Sequence, residues 1–447
     1  MPPELRPRKS KDRTPSSAPR TSEVLSNTDT VPEDPVTVDA KPPIYIIDLS
    51  LPPSQRYVHV ARDFKSTIGE LTQLFDEVLD TIKPRIVPRC FCHFLAWVFL
   101  QRLFHREQTE ELKGMSRVLD LPMYLLVAYN VFLDLLMGCT SGGVLVKENG
   151  PARGRMMHFR TLDWGMPALR KAIVQYNFVE SPDGKVIATT IGYVGFVGVL
   201  TGVKKDLSVS LNFRPYHNHS GLTLGNFQYY WHLLLVLLGF RPSISAQLRD
   251  FILPVALPIE QKKQPYNDSR ISPQLSPQPL LKPSDISSTL PGTPTTAAYL
   301  IFSTSQETLI LEKDLRTATT WHSSSFITTT NHDKSYEETT NNKSEYTAHS
   351  ETKQRFLGIG MQDLIDESVE RKACLTKKWE AHLRRQRCRS EDTIVGIRAQ
   401  DLKRWMLEYP VCNEDTHFVC VMDPGGGEVR WVRRFEEGEI GGESAEI

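Results

Sequence analysis

The order of periodicities along the chain predicts an α+β fold. Apolar residues recur at helical spacing through much of the first 137 residues. From Cys139 onward, short runs bounded by turn residues read as strands. These runs follow one another with few helical stretches between them, which favours antiparallel sheets over a repeated βαβ unit.

Residues 1 to about 43 are rich in Pro, Ser, Thr, Lys and Arg and are expected to be disordered, because they cannot bury enough surface to offset the entropy of ordering. The basic cluster from Arg6 to Arg13 reads as a solvated run or a surface-sticking patch. Ile44 to Leu51 reads as a strand. Phe64, Ile68, Leu71, Phe75, Val78, Leu79 and Ile82 then predict an amphipathic helix over 63–83, ended near Pro84. The run from Phe91 to Phe104 is almost continuously apolar, and at this length it is too short to span a bilayer upright. A buried helix is the favoured expectation. An interfacial helix that dips an aromatic face into lipid is the alternative. Two more helices are expected over Glu107–Leu119 and Pro122–Met137, the second with Pro at its first position.

Strand-like runs follow at 144–146 and 156–159. Lys171–Glu180 and Val186–Ile191 flank Ser181-Pro-Asp-Gly184, a hairpin signal. Leu207–Phe213 alternates as a half-buried strand would. The Gly-rich run 192–202 is expected to allow close backbone approach. Tyr229–Gly239 reads as a short apolar helix. Segments near 257–296 and 334–355 are polar or Pro/Ser-rich and are expected to be disordered insertions. Between and after them come strands at 298–303, 307–312 and 325–330, a helix at 362–385, and a closing hairpin of 418–422 with 429–434.

Composition narrows the function classes. The chain has 447 residues, 40% hydrophobic and 24% charged, an ordinary globular balance. Its 53 basic and 53 acidic residues cancel, so no overall field selects nucleic acid. Seven cysteines with no CxxC and no His/Cys cluster at zinc spacing suggest neither a disulfide framework nor a metal site, and no cofactor is expected. Cys90 and Cys92 are expected to be packed. The first residues lack the apolar stretch of a signal peptide, which points to a cytoplasmic or membrane-peripheral protein.

The stretch with chemistry is Cys139-Thr-Ser-Gly-Gly143, followed by His158-Phe-Arg160-Thr-Leu-Asp163-Trp-Gly165. It sets a thiol at a helix-to-strand junction, with a guanidinium and a carboxylate close behind. Residues i and i+3 do not share a face of a regular strand. A turn at Thr161-Leu162 would let Arg160 and Asp163 meet, the cation lowering the thiol pKa and the carboxylate holding the cation. A buried cysteine and an Arg-x-x-Asp ion pair are also ordinary structural features.

Cys139-Thr-Ser followed by Arg160-x-x-Asp163-Trp-Gly resembles the acid ceramidase and N-acylethanolamine acid amidase family of N-terminal-nucleophile cysteine hydrolases, itself similar to cholylglycine hydrolases. Asp48-Leu-Ser-Leu-Pro-Pro53, Glu110-Glu-Leu-Lys-Gly-Met-Ser-Arg117, Gly192-Tyr-Val-Gly195-Phe-Val-Gly198 and Thr330-Asn331-His332-Asp333 resemble further family motifs in the family's order. The resemblance implies a four-layer αββα sandwich with a helical first subunit, 44–138, and a hydrolase core, 139–447. It implies cleavage between Gly138 and Cys139, after which the new α-amine serves as the base for its own thiol. Gly138 would permit strained backbone at the cut. Arg160 would hold the nucleophile electrostatically and Asp163 would bind the α-amine. Asn331 would be an oxyanion donor, with Asn212 a possible second contributor. The chain departs from the family after Asn212, at Phe213, and in an Asp-Asp-Arg-Arg motif whose nearest match is Asp366-Glu-Ser-Val, with Arg371 a candidate replacement. The activity implied is hydrolysis of ceramide to a sphingoid base and a fatty acid. The alternatives are hydrolysis of N-acylethanolamines or other fatty amides, and a catalytically inactive lipid-binding protein. The expected partner is a lipid amide, with peripheral membrane contact; family members are often lysosomal.

Overall fold

Two stacked β-sheets carry the fold, and helices cover both outer faces. The computed structural model describes residues 41–68, 76, 88–132, 138–147, 154–219, 223–254, 282–340, 361–387 and 395–440. Before the central thiol come β1 (Ile44–Asp48), three helical turns α1 (Pro53–Arg56), α2 (Val58–Asp63) and α3 (Lys65–Ile68), then α4 (Arg89–Phe99), α5 (Arg106–Leu119) and α6 (Met123–Phe132). After it come β2 (Gly138–Val146), β3 (Arg155–Asp163), β4 (Ile173–Val179), β5 (Ala188–Tyr193), β6 (Thr201–Lys204) and β7 (Leu207–Phe213). Helices α7 (Leu224–Leu237), α8 (Ile244–Ile252) and α9 (Pro283–Thr289) lead to β8 (Thr295–Ser303), β9 (Thr308–Leu315), β10 (Thr317–Ser323) and β11 (Phe326–Thr329). The chain closes with α10 (Lys334–Thr340), α11 (Met361–Arg387), α12 (Ala399–Leu407), β12 (Thr416–Asp423) and β13 (Glu428–Arg434).

One sheet has eight strands in the order β1-β4-β5-β6-β7-β8-β9-β10, the other five in the order β11-β2-β3-β12-β13. β1 pairs with β4 in parallel. The other named pairs are antiparallel. The facing sides meet through polar groups: the buried His158 ring lies between the Ser208 and Ser210 hydroxyls at 2.9 and 2.8 Å. Burial lowers its pKa to about 3, so the imidazole stays neutral there.

Alternation decides which side chains reach which layer. On β7, Ser208, Ser210 and Asn212 turn toward the five-stranded sheet. Val209 and Leu211 share the main core with Ile244, Leu248 and Ile252 of α8. β7 was expected to be half-buried, but all seven residues are buried, because both of its faces are covered. On the far side, Leu375 and Trp379 of α11 and Leu402, Trp405 and Met406 of α12 pack with Val144, Phe159, Val419 and Val421 in a second core. The layers are therefore helix, sheet, sheet, helix, the αββα order expected.

The segment ahead of Cys139 is tied to the rest by a buried ion network. Glu111 on α5 accepts from Arg249 on α8 at 2.6 and 2.7 Å and from Arg56 on α1 at 3.1 Å. Arg56 also pairs with Glu107 and donates to the Leu49 carbonyl. Burial alone would raise the Glu107 carboxyl, but Arg249 and Arg56 more than offset this and hold it below its usual range.

Several expectations need correction. The helix expected over 63–83 starts earlier, from Pro53, and breaks at Tyr57 and Phe64; apart from residue 76, positions 69–87 lie outside the described residues. The apolar run from Phe91 forms α4, but it is not a buried helix. Ala96 is its one buried residue, Phe94 and Trp97 are 55% and 59% exposed, and Cys90 is exposed rather than packed. The insertion expected to reach 296 ends sooner, since α9 and a turn at Leu290–Gly292 bury Ile286 and Leu290; residues 255–281 lie outside the described set. The loop expected from 334 begins as α10. The expected disorder of residues 1–40 and of 341–355 also falls outside the described residues. α8, β10 and α12 were not read from the sequence.

Glu111→Ala would leave two buried guanidinia without their shared carboxylate. It is expected to lower the unfolding free energy of the full chain by about 3–5 kcal/mol, measured from the urea midpoint. A loss under about 1 kcal/mol would show that the network does not hold the first segment on.

Candidate active site

Cys139 is the second residue of β2 and is fully buried. Its main chain pairs with Leu162 of β3 on one side. On the other side the ladder stops: β11 pairs with β2 only as far as Thr329 opposite Ser141. The chain then turns at Thr330–Asp333, and the Asn331 side chain takes the place of the missing strand. Its Oδ1 accepts the Cys139 N–H at 2.8 Å and an Arg371 Nη2 bond at 3.0 Å. Its Nδ2 donates to the Phe213 carbonyl at 2.8 Å. Two donors converge on one atom and an acceptor faces the other, which fixes the amide's orientation.

Arg160 lies on the inner face of β3 with His158. Its Nη2 is 3.3 Å from the Cys139 sulfur, and its Nη1 donates to the Leu200 carbonyl. Its Nε is buried without a hydrogen-bond partner. Burial pushes the Cys139 thiol up; Arg160 and Arg371 lower it but do not cancel the effect. In the uncut chain the sulfur is therefore a protonated thiol beside a cation.

β3 runs straight through to Asp163, with no turn at Thr161-Leu162. Arg160 and Asp163 consequently point to opposite faces of the strand, and the carboxylate does not hold this guanidinium. Asp163 accepts from the Thr416 hydroxyl at 2.8 Å and lies 3.8 Å from Arg371 Nε. Burial raises its pKa to about 6, against the lowering effects of Arg371 and Thr416. Gly138 pairs directly opposite Asp163, and a Cβ there would lie 3.3 Å from the Asp163 Cβ. Gly138 sits in regular strand, not in the left-handed region, so close packing and not backbone strain is its use here.

Asn212 is two steps away. Ser141 donates to its Oδ1 at 2.7 Å, and its Nδ2 donates to the Thr329 and Thr330 carbonyls at 3.2 and 3.3 Å. Both nominated asparagines thus have their Nδ2 groups engaged by main-chain carbonyls. The structure brings Cys139, Arg160, Asn331 and Asp163 around one strand end and places Asn212 behind them. A cleft of about 760 Å³ lined by Lys147, Lys378, His382, Arg385, Arg404 and Trp405 lies toward the other end of β2 and contains none of these residues. Among the described residues no group of three or more His, Cys, Asp or Glu gathers as metal ligands would.

Sequence comparison bears on this arrangement. Residues 40–103 match the family described as the beta subunit of N-acylethanolamine-hydrolyzing acid amidase. A Caenorhabditis elegans N-acylethanolamine-hydrolyzing acid amidase is 31% identical over 227 residues, 48% of this chain and 57% of that protein. Homo sapiens acid ceramidase is 26% identical over 192 residues, 38% of this chain and 45% of that protein. Over these stretches the chain is similar to members of the acid ceramidase and N-acylethanolamine acid amidase family. The match spans roughly half the length of the curated relatives. A solved structure of a Caenorhabditis elegans ortholog of the amidase aligns with TM-score 0.40 and 17% identity, over 66% of this chain and 100% of that one.

Arg371, the candidate replacement for the motif's Arg, stands beside Asn331 and Asp163. Ser368, one turn earlier on α11, accepts the Asn331 N–H at 2.7 Å and was not singled out from the sequence. Its only signal is the i, i+3 spacing from Arg371, and that was readable only once a helix there was assumed.

The raised Asp163 pKa predicts a pH dependence. The folded chain holds this proton up to about pH 6, whereas an unfolded Asp releases it near 3.9. The stabilisation is complete below the unfolded value and is lost as pH rises through 6, a change on the order of 3 kcal/mol. Urea titrations at pH 4 to 7 should show wild type losing stability relative to Asp163→Asn by about this amount; an opposite slope would remove the assignment.

Proposed function

We propose that this chain is a self-cleaving fatty-amide hydrolase with Cys139 as its nucleophile. The observation that carries the reading is the strand end itself: the Cys139 sulfur lies 3.3 Å from the Arg160 guanidinium while the Cys139 nitrogen is held by Asn331. In the first step the sulfur attacks the Gly138 carbonyl carbon and the Gly138–Cys139 C–N bond breaks. The acyl group passes to sulfur as a thioester, and water releases Gly138 as a carboxylate. Cys139 is left with a thiol and a free α-amine on one residue. An amine with a pKa of about 8 can take the thiol proton, with no histidine required.

In turnover, the thiolate attacks the amide carbonyl and Arg160 stabilises the negative charge that develops. The leaving amine takes a proton from the α-ammonium. Water, deprotonated by the same amine, releases the fatty acid. Asn331 Oδ1 holds the α-amine in the place where it now holds the amide N–H. Asp163, beyond Arg371, supplies negative charge on the outer side once pH rises above about 6. Asn331 and Asn212 would act as oxyanion donors only by exchanging the carbonyl bonds their Nδ2 groups now make. The Cys139 sulfur is fully buried, so the reading requires the site to open before substrate can reach it.

The substrate class follows from the relatives, which carry the names N-acylethanolamine-hydrolyzing acid amidase and acid ceramidase. Ceramide is the first candidate and N-acylethanolamines the second. Incubated between pH 4.5 and 8, the purified chain should give a fragment beginning at Cys139, and a panel of ceramides and N-acylethanolamines should show release of fatty acid. Cys139→Ala should abolish both, and Arg160→Met should lower kcat roughly 100- to 1000-fold. An uncut chain without amidase activity would leave the inactive lipid-binding reading.

A lipid substrate also calls for a way onto a membrane. α4 exposes Phe91, Phe94, Trp97 and Phe99, and α7 exposes Phe227 and Trp231. The chain just beyond each helix joins the two: the Arg102 guanidinium lies 5.1 Å over the Phe240 ring, and left-handed Gly239 (φ 69°) lets the Arg102 carbonyl approach to where a Cβ would clash. Aromatic exposure on two helices whose ends meet suits peripheral insertion. No described helix is long and apolar enough to cross a membrane. Trp97→Ser with Trp231→Ser should cut binding to phospholipid vesicles at least about tenfold and spare turnover of a short-chain, water-soluble amide; unchanged vesicle binding would reject this surface.

A further inference from the structure

The segment that positions Asn331 contains a second, unassigned constellation. His332 is fully buried directly after Asn331. Its Nδ1 lies 2.7 Å from the Ser368 hydroxyl and its Nε2 2.9 Å from Glu337 Oε1. Glu337 in turn pairs with Lys372 at 2.5 Å. Ser368 and Lys372 share one face of α11, four residues apart, with Arg371 beside them.

Hydroxyl, imidazole and carboxylate in this order are the parts of a serine nucleophile. The burial argues otherwise. Ser368 is fully buried, and its oxygen already accepts the Asn331 main-chain N–H at 2.7 Å. No acyl group can reach it, and the lone pair nearest the site is in use. The chain of contacts leads instead to Asn331, and through Asn331 to the nucleophile's nitrogen.

We propose that Glu337, His332 and Ser368 form a positioning chain that fixes the Asn331 main chain, and thereby aims Asn331 Oδ1 at the nitrogen of Cys139. The inference rests on the proposed role of Cys139. The proton inventory leaves Ser368 Oγ an acceptor toward Asn331. The Glu337 carboxylate takes the Nε2–H, so Nδ1 is an acceptor. The Thr330 hydroxyl lies 2.8 Å from Ser368 Oγ, 3.1 Å from Nδ1 and 3.0 Å from the Ser368 carbonyl, so the Ser368 proton goes to Nδ1 or to Thr330 Oγ1; in both arrangements Ser368 keeps lone pairs for the Asn331 N–H. Burial alone would raise Glu337, but His332 and Lys372 hold it at about 2, and burial lowers His332, so the pair is a neutral ring on a carboxylate across the physiological range. His332, Ser368 and Glu337 are positioning residues: none touches the sulfur. The sequence motif gives a reason to look here, because the family-like Thr-Asn-x-Asp stretch carries a histidine at the third position.

The first test needs no activity. In the uncut Cys139→Ala chain, hydrogen exchange at the residue 139 amide should be slow; Ser368→Ala or His332→Phe should speed it at least about tenfold while the amides of 142–146 keep wild-type rates. His332→Gln, which can still donate to Glu337 and accept from Ser368, should restore protection. If His332→Phe does not fold, Glu337→Gln, at a half-exposed position, should give a smaller rise at the same amide. The second test uses the cleavable chain. Ser368→Ala and His332→Phe should lower kcat about 10- to 100-fold with KM within twofold, and slow self-cleavage in step. Unchanged exchange at residue 139 in both variants overturns the proposal, as does a change in KM alone. Faster exchange in a protein that neither cuts nor hydrolyses would support the positioning chain and reject the amidase reading. Labelling of Ser368 by a fluorophosphonate would overturn the chain in favour of a serine nucleophile.

Discussion

The hydrogen bond from the Cys139 nitrogen to Asn331 Oδ1 is the contact on which the candidate site depends. A residue at the start of an inner strand normally has its N–H taken by the neighbouring strand. Here β11 ends two residues too soon, and a side chain supplies the acceptor. The difference is functional. A ladder bond would lock residue 139 into the sheet as an ordinary peptide unit. A side-chain acceptor grips the same nitrogen but belongs to a turn, and under the proposed cleavage it would follow that nitrogen as the amide becomes an amine. The start of β2 is bounded by side chains, with Arg160 inside, Asn331 at the edge and Arg371 outside, while the rest of the strand is held by backbone on both sides.

The charges around this strand end are divided by the sheet. Arg160 sits between the sheets with the Leu200 carbonyl and the Cys139 sulfur as its hydrogen-bond partners among the described residues. A buried cation without a counterion favours a negative charge nearby, and the nearest group that can supply one is the Cys139 thiol. Asp163 is on the other face with Arg371, so it does not neutralise Arg160 directly. In the closed, uncut chain, burial still keeps the thiol protonated. Under the proposed cleavage the balance would tip as burial is relieved and the α-ammonium appears, which would couple thiolate formation to the cut. A charge poised in this way costs stability until it is used, and the elevated Asp163 carboxyl shows the same tension.

How much of this was legible in the sequence follows from what each feature depends on. The α+β class, β7, the closing hairpin and α11 were readable because local periodicity and turn chemistry settle them. The choice of Cys139, Arg160, Asp163 and Asn331 came from motif order and not from spacing. Spacing misled on one point: it suggested a turn to bring Arg160 and Asp163 together, whereas the strand is straight and the two act from opposite faces. α4 was expected to be buried because an apolar run resembles a core helix, and only tertiary placement shows that little packs over it. β10 and α12 were missed because their exposed faces dilute the apolar pattern. The Ser368–His332–Glu337 contacts could not be read at all, since they join a turn to a helix more than thirty residues on, and no local rule registers such a meeting.

A cut at residue 138 would divide the molecule into a helical segment and a two-sheet core, yet the apolar surface is built from both. α4 comes before the cut and α7 after it, and their ends meet at Arg102, Gly239 and Phe240. The surface keeps its shape only if the two pieces remain docked. β1 provides one attachment, as an edge strand hydrogen-bonded along β4. The network of Arg56, Glu111 and Arg249 provides the other, and it is directional where apolar packing is not. Paired charges buried at this depth contribute little net stability compared with apolar residues of the same size, but separating them is expensive. Under the proposed cut, that asymmetry would suit a joint that outlasts its covalent link: it adds little to folding of the intact chain and would strongly oppose the fragments coming apart.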